Sequence, residues 1–111
     1  MNLLFVHQNF PGQFKHLAPA LAAKGHRVLA MHLHPCAPLP GVELIRYPIA
    51  SKPGDHTHRW LKDLEVKTVR GESAWQAAMA LRQQGFVPDV IVAHPGWGES
   101  LFLHHVWPHA R

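Results

Sequence analysis

A chain of 111 residues holds one domain at most, since domains run to roughly 100–150 residues. Its hydrophobic fraction of 47% is that of a globular protein, but only 16% is charged, against about 25% on average. With four Trp and five Phe, this points to a well-filled core or to apolar surface that something else covers. The net charge of +4 comes from eleven Lys and Arg scattered along the chain, and without a basic stripe nucleic-acid binding is disfavoured.

The lone cysteine, Cys36, excludes an internal disulfide framework and fits a reducing cytoplasm. It lies between Pro35 and Pro38 with no second thiol nearby, and reads as a bystander. The opening Met1–Val6 is apolar but lacks a charged leader and stops at His7. It is too short for a signal peptide or a membrane span and reads as a buried first strand over residues 2–7.

Asn9-Phe10-Pro11-Gly12 is turn chemistry. From Gln13 to Lys24, Phe14, Leu17, Ala18, Leu21 and Ala22 recur at helical spacing, with Pro19 expected to bend the helix and Gly25 to stop it. Arg27–Leu33 is a second strand. A loop carries Pro35, Pro38, Pro40 and Gly41, and Val42–Tyr47 is a third strand. From about Asp55 to Gln84 the residues Trp60, Leu61, Leu64, Thr68, Trp75, Ala78 and Leu81 track one helix face. Gly71 is a candidate break in that helix, and Trp60 and Trp75 are expected in the core. Asp89–Ala93 is a fourth strand, and a last helix is expected over Gly96–Val106, interrupted at Trp107-Pro108. The order β-α-β-β-α-β-α predicts an α/β fold: three Rossmann-like layers, a mostly parallel sheet with helices on both faces.

Two junctions carry the chemistry, FVHQNFPGQF at residues 5–14 and PDVIVAHPGWGES at residues 88–100. Each is an apolar run ending in a glycine turn, and in open α/β sheets ligands bind at such strand ends. At the first, Gly12 permits a close backbone path, and the N–H groups of Gln13 and Phe14, opening a helix, would suit a phosphate or a sugar hydroxyl. One glycine is not the three of a dinucleotide fingerprint. At the second, His94 closes the strand and could serve as a base or bond a substrate hydroxyl. Gly96 and Gly98 would let the backbone approach a ligand beside Trp97, and Glu99 or Ser100 could cap the next helix. A satisfied histidine in a capped turn accounts for the same spacing equally well.

The segments LLFVHQNFPGQFKHLAPALAAKGHRV and GFVPDVIVAHPGWGESLFLHHVWPHAR together resemble the amino-terminal domain of family 4 glycosyltransferases of the GT-B fold; residues 35–80 carry little of the likeness. The resemblance implies a partial GT-B amino-terminal domain over residues 1–111. It places Gly12 and Gln13 beside a donor diphosphate and the acceptor, and His94 in the catalytic cleft. Gly96, Trp97, Gly98 and Glu99 would then lie on the acceptor side. It implies a nucleotide-sugar donor, an acceptor left open, and neither cofactor nor metal. The family's carboxyl-terminal domain with its paired-glutamate E-x7-E motif is absent from the sequence, and Trp107–Arg111 resembles the lead-in to a further strand. The chain is therefore expected to be inactive alone and prone to self-association through an open sheet edge.

Three other readings compete. The pairs His32/His34, His56/His58 and His104/His105, among eleven histidines, invite a metal, but three or four convergent ligands are needed and no such spacing is present. A non-catalytic module could dock to a protein through Trp97, Trp107 and the sheet edge. A serine hydrolase is disfavoured, because Gly96-Trp97-Gly98-Glu99-Ser100 lacks the order of a nucleophile elbow.

Overall fold

The computed structural model describes residues 1–49 and 51–111. Four parallel strands, β1 (Asn2–Val6), β2 (Arg27–His32), β3 (Val42–Arg46) and β4 (Val90–Ala93), form one sheet in the order β3-β2-β1-β4. The α/β expectation holds, and the sheet is parallel throughout. Its two central strands, β1 and β2, are apolar on both sides because both faces are covered there. Leu3, Phe5, Val28 and Ala30 pack with Phe14 and Ala18 on one face, and Leu4, Val6, Leu29 and Met31 pack with Ala74, Ala78 and Leu103 on the other.

The first helical segment is shorter than its spacing implied. A 3-10 turn at Gly12–Phe14 is followed by α1 (Leu17–Ala23), with the chain between them irregular. Pro19 is the third residue of α1, inside the first turn, where its missing N–H would have had no partner anyway. It therefore breaks no helical hydrogen bond.

The helix α2 (Lys62–Gln83) is continuous through Gly71. Its buried residues are Gly71, Ser73, Ala74, Ala78 and Leu81, so Ala78 and Leu81 of the stripe read from the sequence face inward while its bulkier amino-terminal members do not. Trp60 is 78% exposed, Leu64 is 59% exposed and Trp75 is exposed at 37%, so neither Trp60 nor Trp75 is core. Small side chains face inward because another backbone comes close there: a Cβ on Gly71 would lie 2.7 Å from the carbonyl oxygen of Gly98.

The last helix, α3, covers only Leu103–Val106, and residues 95–102 form turns instead of the expected helical start at Gly96. It is anchored by Trp107, whose indole N–H donates to Phe86 O at 3.2 Å, and by Arg82, which donates to Val106 O at 3.2 Å. The Arg111 N–H donates to Asp89 O at 3.0 Å, and Arg111 O accepts from Ile91 N–H at 2.7 Å. This is the bond pattern of a parallel bridge on the outer edge of β4.

Candidate functional site

Strand register brings the two glycine junctions together. Phe5 pairs with Val92 and Val6 with Ala93, and the His94 N–H extends the ladder by donating to Val6 O at 2.9 Å. The next residues, His7 and His94, therefore emerge side by side at the carboxyl ends of neighbouring strands. Their ring centroids are 4.9 Å apart. Trp97 stacks on His94 at 3.8 Å and an interplanar angle of 19°, and stands edge-on to His7 at 5.1 Å. Phe14 meets His7 edge-on at 5.8 Å, so both junctions contribute to one aromatic cluster.

His7 is fixed on two sides. The Asn9 N–H donates to its Nδ1 at 3.0 Å, which in a neutral imidazole leaves the proton on Nε2. Burial, and secondly the neighbouring His94, hold its pKa below the ordinary imidazole value, with Glu99 opposing. Gly12 adopts φ +47°, and a Cβ there would lie 2.4 Å from His7 Nε2. The glycine of the first turn thus leaves room for a histidine. His94 Nδ1 and Gln8 Oε1 are buried and have no hydrogen-bond partner among the described residues.

The remaining expected residues divide. Gly12 and Gln13 are exposed beside the cluster, but no long helix opens there. The Phe14 N–H is not free for a ligand, because it donates to Pro11 O at 2.8 Å. Gly96 adopts φ +94° with open space where a side chain would be. Gly98 is different: at φ +105°, a Cβ would fall 2.0 Å from Lys67 O. It lets the turn seat against α2, and its absent side chain faces the helix backbone. Glu99 caps no helix; the residue before α3 is Phe102, without a side-chain cap. Instead Glu99 is 2% exposed and its Oε1 accepts from the Tyr47 hydroxyl at 2.9 Å. Ser100 is exposed within a turn.

Sequence spacing alone does not single out His7 or Tyr47 as site residues. The signal for His7 was present: FVH at residues 5–7 and VAH at residues 92–94 both end an apolar strand in histidine, and parallel neighbours in register align such ends. Tyr47 follows the opposite edge strand, and nothing local couples it to a residue 52 positions away.

The other histidines do not converge. His32 is buried and donates from Nδ1 to His34 O at 2.8 Å, while His34 is exposed. Among the described residues no three His, Cys, Asp or Glu side chains group as metal ligands, and no helix is long and apolar enough to cross a membrane. A groove of about 620 Å³ lined by Met1, Asp89 and Trp107 lies at the amino ends of the strands, and one of about 580 Å³ runs along α2 between Trp75 and Phe102. Neither includes the histidine cluster, which lies at the strand ends where parallel α/β sheets bind ligands.

A sequence model of the glycosyl transferase family 4 group matches residues 24–111. That is well over half of the chain, and the chain belongs to this family. The match takes in β2 through Arg111 and so includes His94 and the glycine turn after it; the Gly12 turn lies before it and joins the site through the β1–β4 register. No curated protein and no solved structure matches the chain.

Proposed function

We propose that this chain forms the acceptor-side wall of a cleft in which a sugar passes from a nucleotide-sugar donor to an acceptor. The observation that carries the reading is the meeting of His7, His94 and Trp97 at the carboxyl ends of β1 and β4, within a chain of a glycosyltransferase family. Gly12 and Gln13 would lie beside the phosphate or acceptor. His94 would bond a hydroxyl of the sugar, and Gly96 and Trp97 would shape the wall. The chemistry asked of the chain is orientation and hydrogen bonding at developing charge, for which neither metal nor cofactor is invoked. A GT-B cleft has two walls, so weak binding without turnover is expected of this chain by itself.

The test is ligand-observed saturation-transfer NMR with UDP-glucose, GDP-mannose and free methyl glucosides. Saturable transfer that is lost in His94→Ala supports the reading. Equal transfer to wild type and variant would remove His94 from it.

A non-catalytic docking module is the second reading. Trp107, one of its expected contacts, is buried at 4% exposure and packs in the core instead, but the exposed Trp60, Leu61 and Leu64 favour it, since exposed apolar patches mark contact surfaces. Self-association would go through that flank or the β4 edge, and sedimentation velocity of a Leu64→Lys variant separates the two.

A further inference from the structure

We infer that Glu99, held by Tyr47, is a positioning residue that sets Trp97 onto the His94 ring; the inference rests on the reading of His94 as a residue that contacts substrate. The two partners come from opposite edges of the sheet. Tyr47 directly follows β3, Glu99 lies in the turn after β4, and β2 and β1 run between them. Both residues are buried, Tyr47 at 0% and Glu99 at 2% exposure, so their hydrogen bond ties the second glycine turn across the carboxyl end of the whole sheet.

The turn is held at three points around Trp97. His94 is fixed upstream by its N–H bond to Val6 O at 2.9 Å. Gly98 is seated on the α2 backbone, where a Cβ would lie 2.0 Å from Lys67 O. Glu99 is fixed to Tyr47 at 2.9 Å. With its neighbours on both sides constrained, the Trp97 indole has little freedom to leave the His94 face, where it stacks at 3.8 Å. The tie is suited to this task because a buried hydrogen bond to a carboxylate is stronger than a neutral one. Burial, and then the Glu99 charge and hydrogen bond, hold the Tyr47 hydroxyl protonated far above its ordinary pKa, against a smaller opposing effect of Arg70. The donor is present across the whole physiological range.

The experiment is a ring-proton NMR spectrum of the full chain labelled with ¹³C-histidine. A stacked indole shifts the ring protons of His94 upfield, and that shift reports the stack directly. Tyr47→Phe removes the donor. Because it also strands a buried carboxylate, the double variant Tyr47→Phe/Glu99→Leu, which removes both polar groups, is measured beside it. Glu99→Gln keeps an acceptor for the Tyr47 hydroxyl and should rescue the signal. The expected result is loss of most of the His94 upfield shift in the tie-breaking variants and its retention in Glu99→Gln. If Tyr47→Phe does not fold, the double variant decides. A full shift in a folded tie-breaking variant would overturn the inference and make the pair merely stabilising. Titration of UDP-glucose into the same wild-type sample separates the two claims: absence of binding counts against the transferase reading and leaves the result on the stack standing.

Discussion

The two glycine turns at the carboxyl edge of the sheet look alike in sequence and do different work. At Gly12 the missing side chain makes room for another side chain, the imidazole of His7. At Gly98 it makes room for a main chain, the α2 backbone at Lys67. An imidazole held by one hydrogen bond and by ring contacts yields more readily than a packed helix backbone. The first turn is therefore the less rigid wall of the site, and the second is the more rigid, pinned again one residue later by the Glu99–Tyr47 hydrogen bond.

Substitutions can break or sharpen this contrast. Gly98→Ala should be the most damaging, combining a left-handed φ of +105° with a collision against backbone; a loss of about 3 kcal/mol is expected in urea unfolding. Tyr47→Phe leaves the buried Glu99 without its donor and should cost about 2 kcal/mol by the same measurement. Gly12→Ala should cost less, about 1 kcal/mol for the left-handed backbone, yet it should move the His7 ring resonances more than Gly98→Ala does. Equal stability losses at the two glycines would erase the distinction between the turns.

A smaller effect concerns pH. His7 has a depressed pKa in the fold, so the unfolded chain binds more protons at this position. Its contribution to stability is complete above the unfolded imidazole value of about 6.5 and is lost as pH falls from there toward the folded value. His7→Phe, which keeps the edge-on ring contacts, should flatten the acid side of a stability–pH curve. The smallest effect is expected at Trp60→Ser. This side chain is 78% exposed, and its loss should change stability by no more than about 0.5 kcal/mol.

The sheet was legible in the sequence because its signal is local: uninterrupted apolar runs such as Leu3–Val6 and Val90–Ala93 need no partner to be recognised. The inward face of α2 was legible only at Ala78 and Leu81. Bulky Leu64 and Trp75 give a stronger periodic signal than Gly71 and Ala74, yet the small residues face the core because the turn at Gly98 comes within contact of the helix. Which of two stripes is buried is decided by what packs there, and spacing does not record it.

The site shows the same division. His94 and the two turns stand out as motifs. The partnership of His7 with His94 depends on strand register, and the role of Glu99 depends on Tyr47 arriving from the far edge of the sheet. Glu99 reads locally as a cap or ligand contact, because an exposed carboxylate and a buried one are the same letter. The late start of α1, at Leu17 instead of Gln13, has a similar cause, since Phe14 turns inward to pack on Phe5 and His7 and its N–H is spent on Pro11 O.

The most direct test of the histidine cluster as the ligand site is a ¹H–¹⁵N spectrum of the chain titrated with UDP-glucose to millimolar concentration. The expected result is a set of saturable shifts confined to His7, Gly12, His94, Gly96 and the Trp97 indole, with the exposed flank of α2 at Leu64 and Trp75 unchanged. Shifts confined to that flank, or none at any concentration, would contradict the assignment of the sheet's carboxyl edge as the sugar-binding wall.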